Sequence, residues 1–294
     1  MKPRIFWIIY HVERISKVKK NVLTWCKKLG GEIILFHCIP YESGQSFPFQ
    51  YIPEKNIKEA IEEKRNSAER TFKNLKVEFE KEGLSLSYEI RAGYIFLESI
   101  SAIRKFSPDV VLLTPEGGEF MPFFIGSNTL RILRDVDRDI LFLKSKRTEV
   151  ENVIFPVDLS KFSLKCGRRA FEVAKIFNVP LEIINVLETK GLSLSQEVLK
   201  DSAIKVERSL HKKIEKDFGG FTGVKWRIHV ISAENAINGI MNFLKGKKNY
   251  MIVIGKKGYS LIQFITGNLV EKVVRYSSGN VWIVSQPQKK IIKE

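Results

Sequence analysis

Hydrophobic residues along this chain come in short unbroken runs separated by longer amphipathic segments. Runs such as IILF and VVLL are β-branched or large and apolar without polar alternation, which indicates strands covered on both faces of a parallel sheet. The segments between them place apolar residues three or four positions apart, as at Cys166, Ala170, Val173, Ala174 and Phe177, which predicts amphipathic helices. The pattern therefore predicts an α/β protein.

The same order of elements occurs twice. The stretch FWIIYHVERISKVKKNVLTWCKKLGGEIILFHCIPY matches IFPVDLSKFSLKCGRRAFEVAKIFNVPLEIINVLE, each with a strand, a polar turn, a helix and a second strand. The tails DVVLLTPEGGEFMPFFIGSNTLRILRDVDRDILFL and YMIVIGKKGYSLIQFITGNLVEKVVRYSSGNVWIV match as strand, glycine-containing loop, helix and strand. An internal repeat of this length predicts two copies of one structural unit.

Further elements fill the middle of each copy. We expect polar helices at 54–82 and 194–217, strands at 85–91 and 225–231, and helices at 95–106 and 236–244. Right-handed crossovers would wind each copy into an open α/β sandwich with five parallel strands. The charged stretch 144–152 separates the copies, so we predict domains at 1–147 and 148–294.

Composition narrows the class of protein. With 294 residues, 44% hydrophobic and 28% charged, the chain is typical of a globular protein with two cores. The cysteines Cys26, Cys38 and Cys166 form no CxxC pair and lie among apolar residues, which indicates core thiols rather than a disulfide framework or a zinc site. No apolar run reaches the roughly 18 residues that span a bilayer. We therefore expect a cytoplasmic protein without a membrane partner.

The formal net charge of +16 favours anionic partners in general. The basic residues are spread along both copies and often stand beside glutamates, as in KEAIEEKRNSAERTFKNLKVEFEKEG, which is typical of solvated helix faces. No RNA-binding motif and no strand with aromatic residues among basic ones is present. Nucleic acid is therefore the least favoured partner.

Glycines follow the strand MIVIG in the second copy. Gly255 and Gly258 come after the strand, while Gly267 and Asn268 open the helix NLVEKVVRY, with Asn268 as a candidate N-cap. Glycines expose backbone N–H groups, and a helix N-terminus favours negative charge, so this loop suits phosphates at the carboxyl ends of parallel strands. Lys256 and Lys257 lie in the loop and would add charge, although exposed loop lysines are commonly only solvated.

At these residues the chain resembles the universal stress protein family. VIFPVDLSKFSLKCGRRAFEVAKIFNVPLEIINVL is similar to the opening of such a domain, in which a strand ends in Pro-x-Asp and a Ser-containing turn leads into the first helix. The glycine loop is similar to the family's nucleotide motif of Gly, two residues, Gly, nine residues, Gly and Ser or Thr. The resemblance covers nearly the whole chain as two fused domains. It implies an adenine nucleotide alpha hydrolase-like fold in each and a pseudo-twofold arrangement.

The motif also departs from that of the family. Eight residues rather than nine separate Gly258 from Gly267, and Asn268 replaces the hydroxyl residue. In the first copy Ser127 is present, but Thr114 stands where the first glycine belongs, and Tyr10 aligns with Asp158. We therefore expect the second domain to hold the better nucleotide site and the first to be degenerate.

The resemblance implies that Asp158 contacts adenine and that Val186 lines the adenine pocket, although a helix cap and core packing explain these two residues equally well. Tyr10 would stack on a base or, as we favour, fill the pocket. The candidate nucleotide-binding residues are Pro156, Val157, Asp158, Val186, Gly255, Lys256, Lys257, Gly258, Gly267, Asn268 and Leu269.

Catalytic signals are weak. The four histidines, His11, His37, His211 and His229, show no metal-binding spacing, and the sequence has neither a GxSxG elbow nor a GxxxxGK[ST] loop. We expect binding of ATP, ADP or AMP, with or without Mg²⁺, in a stress-response or regulatory role, and we leave a weak ATPase activity open. The alternative is a nucleotide-free scaffold that binds protein partners.

Two loops bear on that alternative. The aromatic stretches 41–56 and 115–128 are candidates for partner recognition or for packing over the sheet and an emptied pocket. The resemblance also implies that the last strands of the two copies pair, DILFLKS beside NVWIVSQ, which would hide two sheet edges within one chain. We expect an intramolecular pseudo-dimer that could form a higher homo-oligomer.

Overall fold

The computed structural model describes residues 2–41, 53–115, 126–144, 148–191, 194–256, 269–287, 289 and 291. By its internal contacts the chain divides into two compact units, Met1–Arg138 and Asp139–Glu294. Each unit is an α/β fold with a mostly parallel sheet, as the sequence predicts.

The described part of unit 1 contains four parallel strands in the order β3-β2-β1-β4 and four helices. The strands are β1 (Arg4–Ile9), β2 (Glu32–Pro40), β3 (Leu86–Gly93) and β4 (Val110–Leu113). The helices are α1 (Ile15–Leu29), α2 (Glu54–Lys81), α3 (Ile95–Phe106) and α4 (Ser127–Asp135), and a 3₁₀ turn at Val12–Arg14 precedes α1.

Unit 2 begins with β5 (Asp139–Phe142), followed by β6 (Asn152–Pro156), β7 (Leu181–Glu188), β8 (Trp226–Ala233), β9 (Tyr250–Gly255) and β10 (Asn280–Val284). Its sheet order is β5-β10-β9-β6-β7-β8, and all neighbours are parallel except β5 and β10. Its helices are α5 (Lys161–Phe177), α6 (Gln196–Phe218), α7 (Ala236–Leu244) and α8 (Leu269–Tyr276). The prediction of five parallel strands is thus confirmed here.

The antiparallel pairing of β5 with β10 confirms the predicted contact between the last strands of the two copies, with Leu141 opposite Trp282. It also explains why β5 belongs to the second compact unit although its sequence closes the first copy. The contact boundary after Arg138 therefore precedes the sequence boundary expected after residue 147, and residues 145–147 lie outside the described part.

Both cores are built from the unbroken apolar runs. Every residue of β4, β5 and β10 is buried, which is why these strands lack polar alternation. Cys26, Cys38 and Cys166 are buried, as predicted for core thiols, and burial raises the pKa of each thiol. Among the described residues, no helix combines the length and apolar character needed to cross a bilayer.

The first helices of the two units end in the same way. Gly30 after α1 and Asn178 after α5 both adopt the left-handed conformation that closes a helix C-terminus. The two sequences therefore align without a gap from β1 through α1 to β2 and from β6 through α5 to β7. This alignment pairs Tyr10 with Asp158 and Lys19 with Gly167.

Candidate functional site

A cavity of about 80 Å³ lies at the carboxyl ends of the strands in unit 2, between β6, β7, β9 and helices α7 and α8. We call it the strand-end cavity. It is lined by Pro156, Val157, Asp158, Ser163, Ile184, Asn185, Val186, Glu188, Ala236, Ile240, Ile254, Gly255, Lys256, Leu269 and Val270.

The structure brings seven of the eleven candidate residues to this one cavity: Pro156, Val157, Asp158, Val186, Gly255, Lys256 and Leu269. They meet because parallel strands place their carboxyl ends at the same edge of the sheet. The other four, Lys257, Gly258, Gly267 and Asn268, lie outside the described residues.

Asp158 stands at the turn from β6 into α5 and is exposed. Its Oδ1 accepts a hydrogen bond from the Ser160 N–H at 3.1 Å, and its own N–H donates to Ser163 Oγ at 3.3 Å. The N-cap of α5 is Ser160, whose Oγ accepts from the Ser163 N–H at 3.0 Å. Asp158 therefore shapes the turn while the serine caps the helix.

Backbone strain marks the same turn. Leu159, directly after Asp158, has a φ of 65°, a conformation that a bulky residue without special support rarely adopts. Such strain costs about 1–3 kcal/mol and commonly accompanies functional turns. The surrounding hydrogen bonds of Asp158, Ser160 and Ser163 hold this conformation in place.

Gly255 and Lys256 contribute differently from what a phosphate loop would need. A Cβ on Gly255 would lie 3.0 Å from both Cys166 Sγ and Phe162 Cε1, so glycine here permits close packing of β9 against α5. The Lys256 N–H donates to the Val284 carbonyl at 2.9 Å and is thus part of the sheet. Of the groups that these two residues provide, the Lys256 side chain is the one suited to binding an anion.

The wall formed by β7 contains a polar residue that the sequence reasoning passed over. Asn185 is buried, and its Nδ2 donates to the Val157 carbonyl at 2.7 Å, which fixes the end of β6. A Cβ on Gly239 would lie 2.7 Å from Val186 Cγ1, so α7 packs tightly over the neighbouring residue of the strand. A lone Asn within the apolar run EIINVL was the available sequence signal.

In unit 1 the corresponding strand end is occupied by Tyr10. Thr129 Oγ1, on the buried side of α4, donates to the Tyr10 hydroxyl at 3.2 Å, so the ring connects the end of β1 to α4. Thr114, at the end of β4, is buried. Residues 116–125, which include Gly117 and the aromatic stretch after it, lie outside the described residues, as do residues 42–52 of the other aromatic loop.

The histidines do not gather into a site. Across the described ranges, no group of three His, Cys, Asp or Glu side chains is placed to hold a metal ion. His11 and His211 each approach a glutamate of their own segment, and His229 lies 3.5 Å from Glu182. His37 is buried in unit 1 with its Nδ1 2.9 Å from the Ile9 carbonyl.

Comparison with known proteins identifies the second half. Residues 149–285 match the model of the universal stress protein family. This half of the chain belongs to the universal stress protein family.

The match agrees with a curated relative. A universal stress protein of Methanocaldococcus jannaschii is 27% identical over 149 residues, which cover 47% of this chain and 84% of the relative. The relative is thus matched over most of its own length.

Solved structures extend the likeness of fold to both units. A universal stress protein from Archaeoglobus fulgidus superposes with a TM-score of 0.68 at 18% identity, covering 96% of this chain and 98% of that one. A protein of unknown function from Pseudomonas aeruginosa PAO1 gives a TM-score of 0.64 at 12% identity, covering 96% and 92%. The α/β fold of both units is therefore shared with these structures, and the match to the family model covers residues 149–285.

Proposed function

We propose that unit 2 binds an adenine nucleotide at the strand-end cavity and that the protein acts in a stress response through binding rather than turnover. The observation that carries the proposal is the meeting of seven sequence-predicted residues around one cavity at the carboxyl ends of β6, β7 and β9. Family membership of this half supports it.

The charges of the cavity suit two different parts of a nucleotide. Asp158 and Glu188 bring carboxylates, which accept hydrogen bonds from an exocyclic amine of the kind adenine carries. Lys256 brings an ammonium group, which suits a phosphate. In the proposed pose the base lies toward Asp158 and Val186 and the phosphates lie toward Lys256.

The size of the cavity limits how the ligand is held. At about 80 Å³ it is well below the roughly 300–1,000 Å³ of a typical ligand pocket. The base is thus the part to be enclosed, while the phosphates lie outside, toward Lys256. If Mg²⁺ accompanies the nucleotide, phosphates and water supply its ligands.

The test is calorimetric titration of the full-length protein with ATP, ADP and AMP, with and without Mg²⁺, together with mass spectrometry of any ligand released on denaturation. We expect Asp158→Ala and Lys256→Ala to weaken binding and Ala236→Trp, which fills the cavity, to abolish it. Asp201→Ala removes an exposed carboxylate on α6 and should leave binding unchanged. Equal affinity in Ala236→Trp and the parent would refute the proposed site.

A nucleotide-free scaffold remains the second candidate, supported by the aromatic stretches at 41–56 and 115–128. It predicts no calorimetric signal and no rise in melting temperature with any of the three nucleotides. Nucleotide release from the purified protein would exclude it.

A further inference from the structure

Unit 1 contains a much larger cleft on a different side of its sheet. It measures about 780 Å³ and lies between α1 and α2, over the carboxyl ends of β1 and β2. We call it the α1–α2 cleft. Its walls come from α1, α2 and the turn after β1, whereas the strand-end cavity of unit 2 is covered by α7 and α8, the counterparts of α3 and α4.

The two units differ in the contact between their first two helices. In unit 2, a Cβ on Gly167 would lie 2.7 Å from the ring of Phe218, so α5 and α6 touch where α5 has no side chain. Phe218 also stacks on Phe171 at 5.2 Å, and the two rings fill the space between the helices.

Unit 1 carries Lys19 at the position of Gly167, and its ammonium binds Glu78 of α2 at 2.6 Å. Glu78 precedes Leu86 by as many residues as Phe218 precedes Trp226. Leu86 pairs with Ile33 and Trp226 pairs with Leu181, and these two partners are aligned positions of the two units. A lysine–glutamate pair thus lies where α5 has no side chain, while Phe79, the residue after Glu78, stacks on Trp7, which is aligned with Phe155. The open space between α1 and α2 is bordered by this pair.

His37 provides a fixed hydrogen-bonding group in the cleft. It is buried, and its Nδ1 lies 2.9 Å from the Ile9 carbonyl, so Nδ1 must carry the proton because a carbonyl only accepts. Burial lowers the pKa of His37, so the ring is neutral near pH 7. Its Nε2 is then an acceptor, and no residue within the described ranges donates to it.

Most of the remaining lining is polar, and the formal charges of its two lysines and two glutamates, Lys19, Lys64, Glu13 and Glu78, sum to zero. Ile15, Ala68 and Leu75 are buried residues of the two helices that face each other across the cleft. The Lys19–Glu78 pair balances its own charges. The volume lies within the range of small-molecule sites, which are mainly apolar with a few fixed polar groups.

We propose that the α1–α2 cleft binds a neutral heteroaromatic molecule, whose ring packs against Ile15 and Leu75 and whose N–H donates a hydrogen bond to His37 Nε2. A neutral ligand fits because the two lysines and two glutamates of the lining balance in formal charge, and Lys19 pairs with Glu78. A planar ring fits because the cleft is bounded by two helices and floored by apolar side chains. This site is independent of the nucleotide proposal for unit 2.

The probe is indole, compared with 1-methylindole, which has the same ring but no N–H. Titrated into the full-length protein, indole should bind one site, and 1-methylindole should bind roughly three- to tenfold more weakly because one hydrogen bond is lost. His37→Asn copies Asn185 of unit 2 and should remove the difference between the two probes. Equal affinities in the parent protein would overturn the role of His37.

Two tryptophan variants locate the site. Ser67→Trp places an indole ring into the cleft from the exposed side of α2 and should abolish binding of the probe. Asn66→Trp, the adjacent residue on the outward face of α2, should leave it intact. Ala236→Trp blocks the strand-end cavity of unit 2 and should also leave indole binding intact. Absence of indole binding, or binding that survives Ser67→Trp, would refute the proposal.

Discussion

The two units share a framework but place their open space in different positions. In unit 2 the helices α5 and α6 are packed through Gly167 and Phe218, and the cavity lies at the strand ends beside Asp158. In unit 1 the strand end carries Tyr10 bonded to Thr129, and the open space lies between α1 and α2. A duplicated fold can thus exchange one pocket for another through a few side chains while its strands keep their order.

The units also differ in how their first helices are anchored. Arg169 of α5 is buried, and its Nε binds Asp139 Oδ2 at 3.0 Å, while another of its nitrogens binds Glu172. Asp139 further accepts from Trp282 Nε1 at 2.9 Å and from the Ser285 N–H at 2.9 Å. In unit 1 the aligned residue is the buried Asn21, which carries no charge. Unit 2 therefore depends on a buried ion pair that unit 1 lacks.

Breaking that ion pair should have the largest effect. Arg169→Met leaves Asp139 charged and buried without its cation, so we expect the free energy of unfolding of unit 2 to fall by about 3–5 kcal/mol. The measurement is hydrogen exchange of the β5 and β10 amides. Asn21→Met is the matched change in unit 1 and should cost less, because no charge loses its partner; an equal cost in the two units would contradict this account.

Substitutions at the contact between the first two helices of each unit should have an intermediate effect on stability. Gly167→Ala places a Cβ against Phe218, whose ring is held by Phe171, and overpacking of this kind costs about 1–3 kcal/mol. The higher helix propensity of alanine recovers up to about 1 kcal/mol.

Lys19→Ala at the aligned position of unit 1 breaks only a partly exposed ion pair and should change stability by less than about 1 kcal/mol. Chemical denaturation of both variants checks the comparison. The explanation would be wrong if Gly167→Ala stabilised the protein. It would also be wrong if the double variant Gly167→Ala with Phe218→Leu were no more stable than Gly167→Ala alone.

Acidification should produce the smallest change in stability. Burial lowers the pKa of His37 in the folded state, with opposing contributions from the Ile9 carbonyl and Glu13 and further lowering by His11 and Lys64. The unfolded chain then binds the proton more readily, so the stabilising contribution is complete above the ordinary pKa of about 6.5 and declines as the pH falls below it.

Unit 1 should therefore lose stability on acidification, while His37→Asn, which copies the non-titrating Asn185, should reduce that loss. The measurement is hydrogen exchange of β1 and β2 amides between pH 7 and pH 5, corrected for intrinsic rates. An identical pH profile in the parent and the variant would show that His37 is not responsible.

Local patterns were enough to predict most of the elements. The helices expected at 95–106 and 236–244 are observed with those bounds, and the long polar helix expected at 54–82 is α2, Glu54–Lys81. The pairing of β5 with β10 was also predicted. These features follow from short-range periodicity and from the family resemblance, both of which can be read in order along the chain.

Seven of the candidate residues lie around one cavity, but the contacts of individual residues differ from those expected. Gly255 looked like an opening for phosphates, yet its missing side chain accommodates Phe162 and Cys166. Lys256 was expected to add charge within a phosphate loop, yet its amide bonds to Val284 of the adjacent strand. Both contacts join residues distant in the chain, so local sequence contains no direct record of them.

The sequence by itself determined the duplicated α/β order, the buried strands and the position of the candidate residues at strand ends, because hydrophobic periodicity and turn residues act over a few neighbours. Only the tertiary structure decided which spaces are open. Whether Lys19 meets Glu78, or Gly167 meets Phe218, depends on the approach of two helices that are far apart in sequence. Packing is a property of such pairs, and it therefore becomes visible only after the chain has folded.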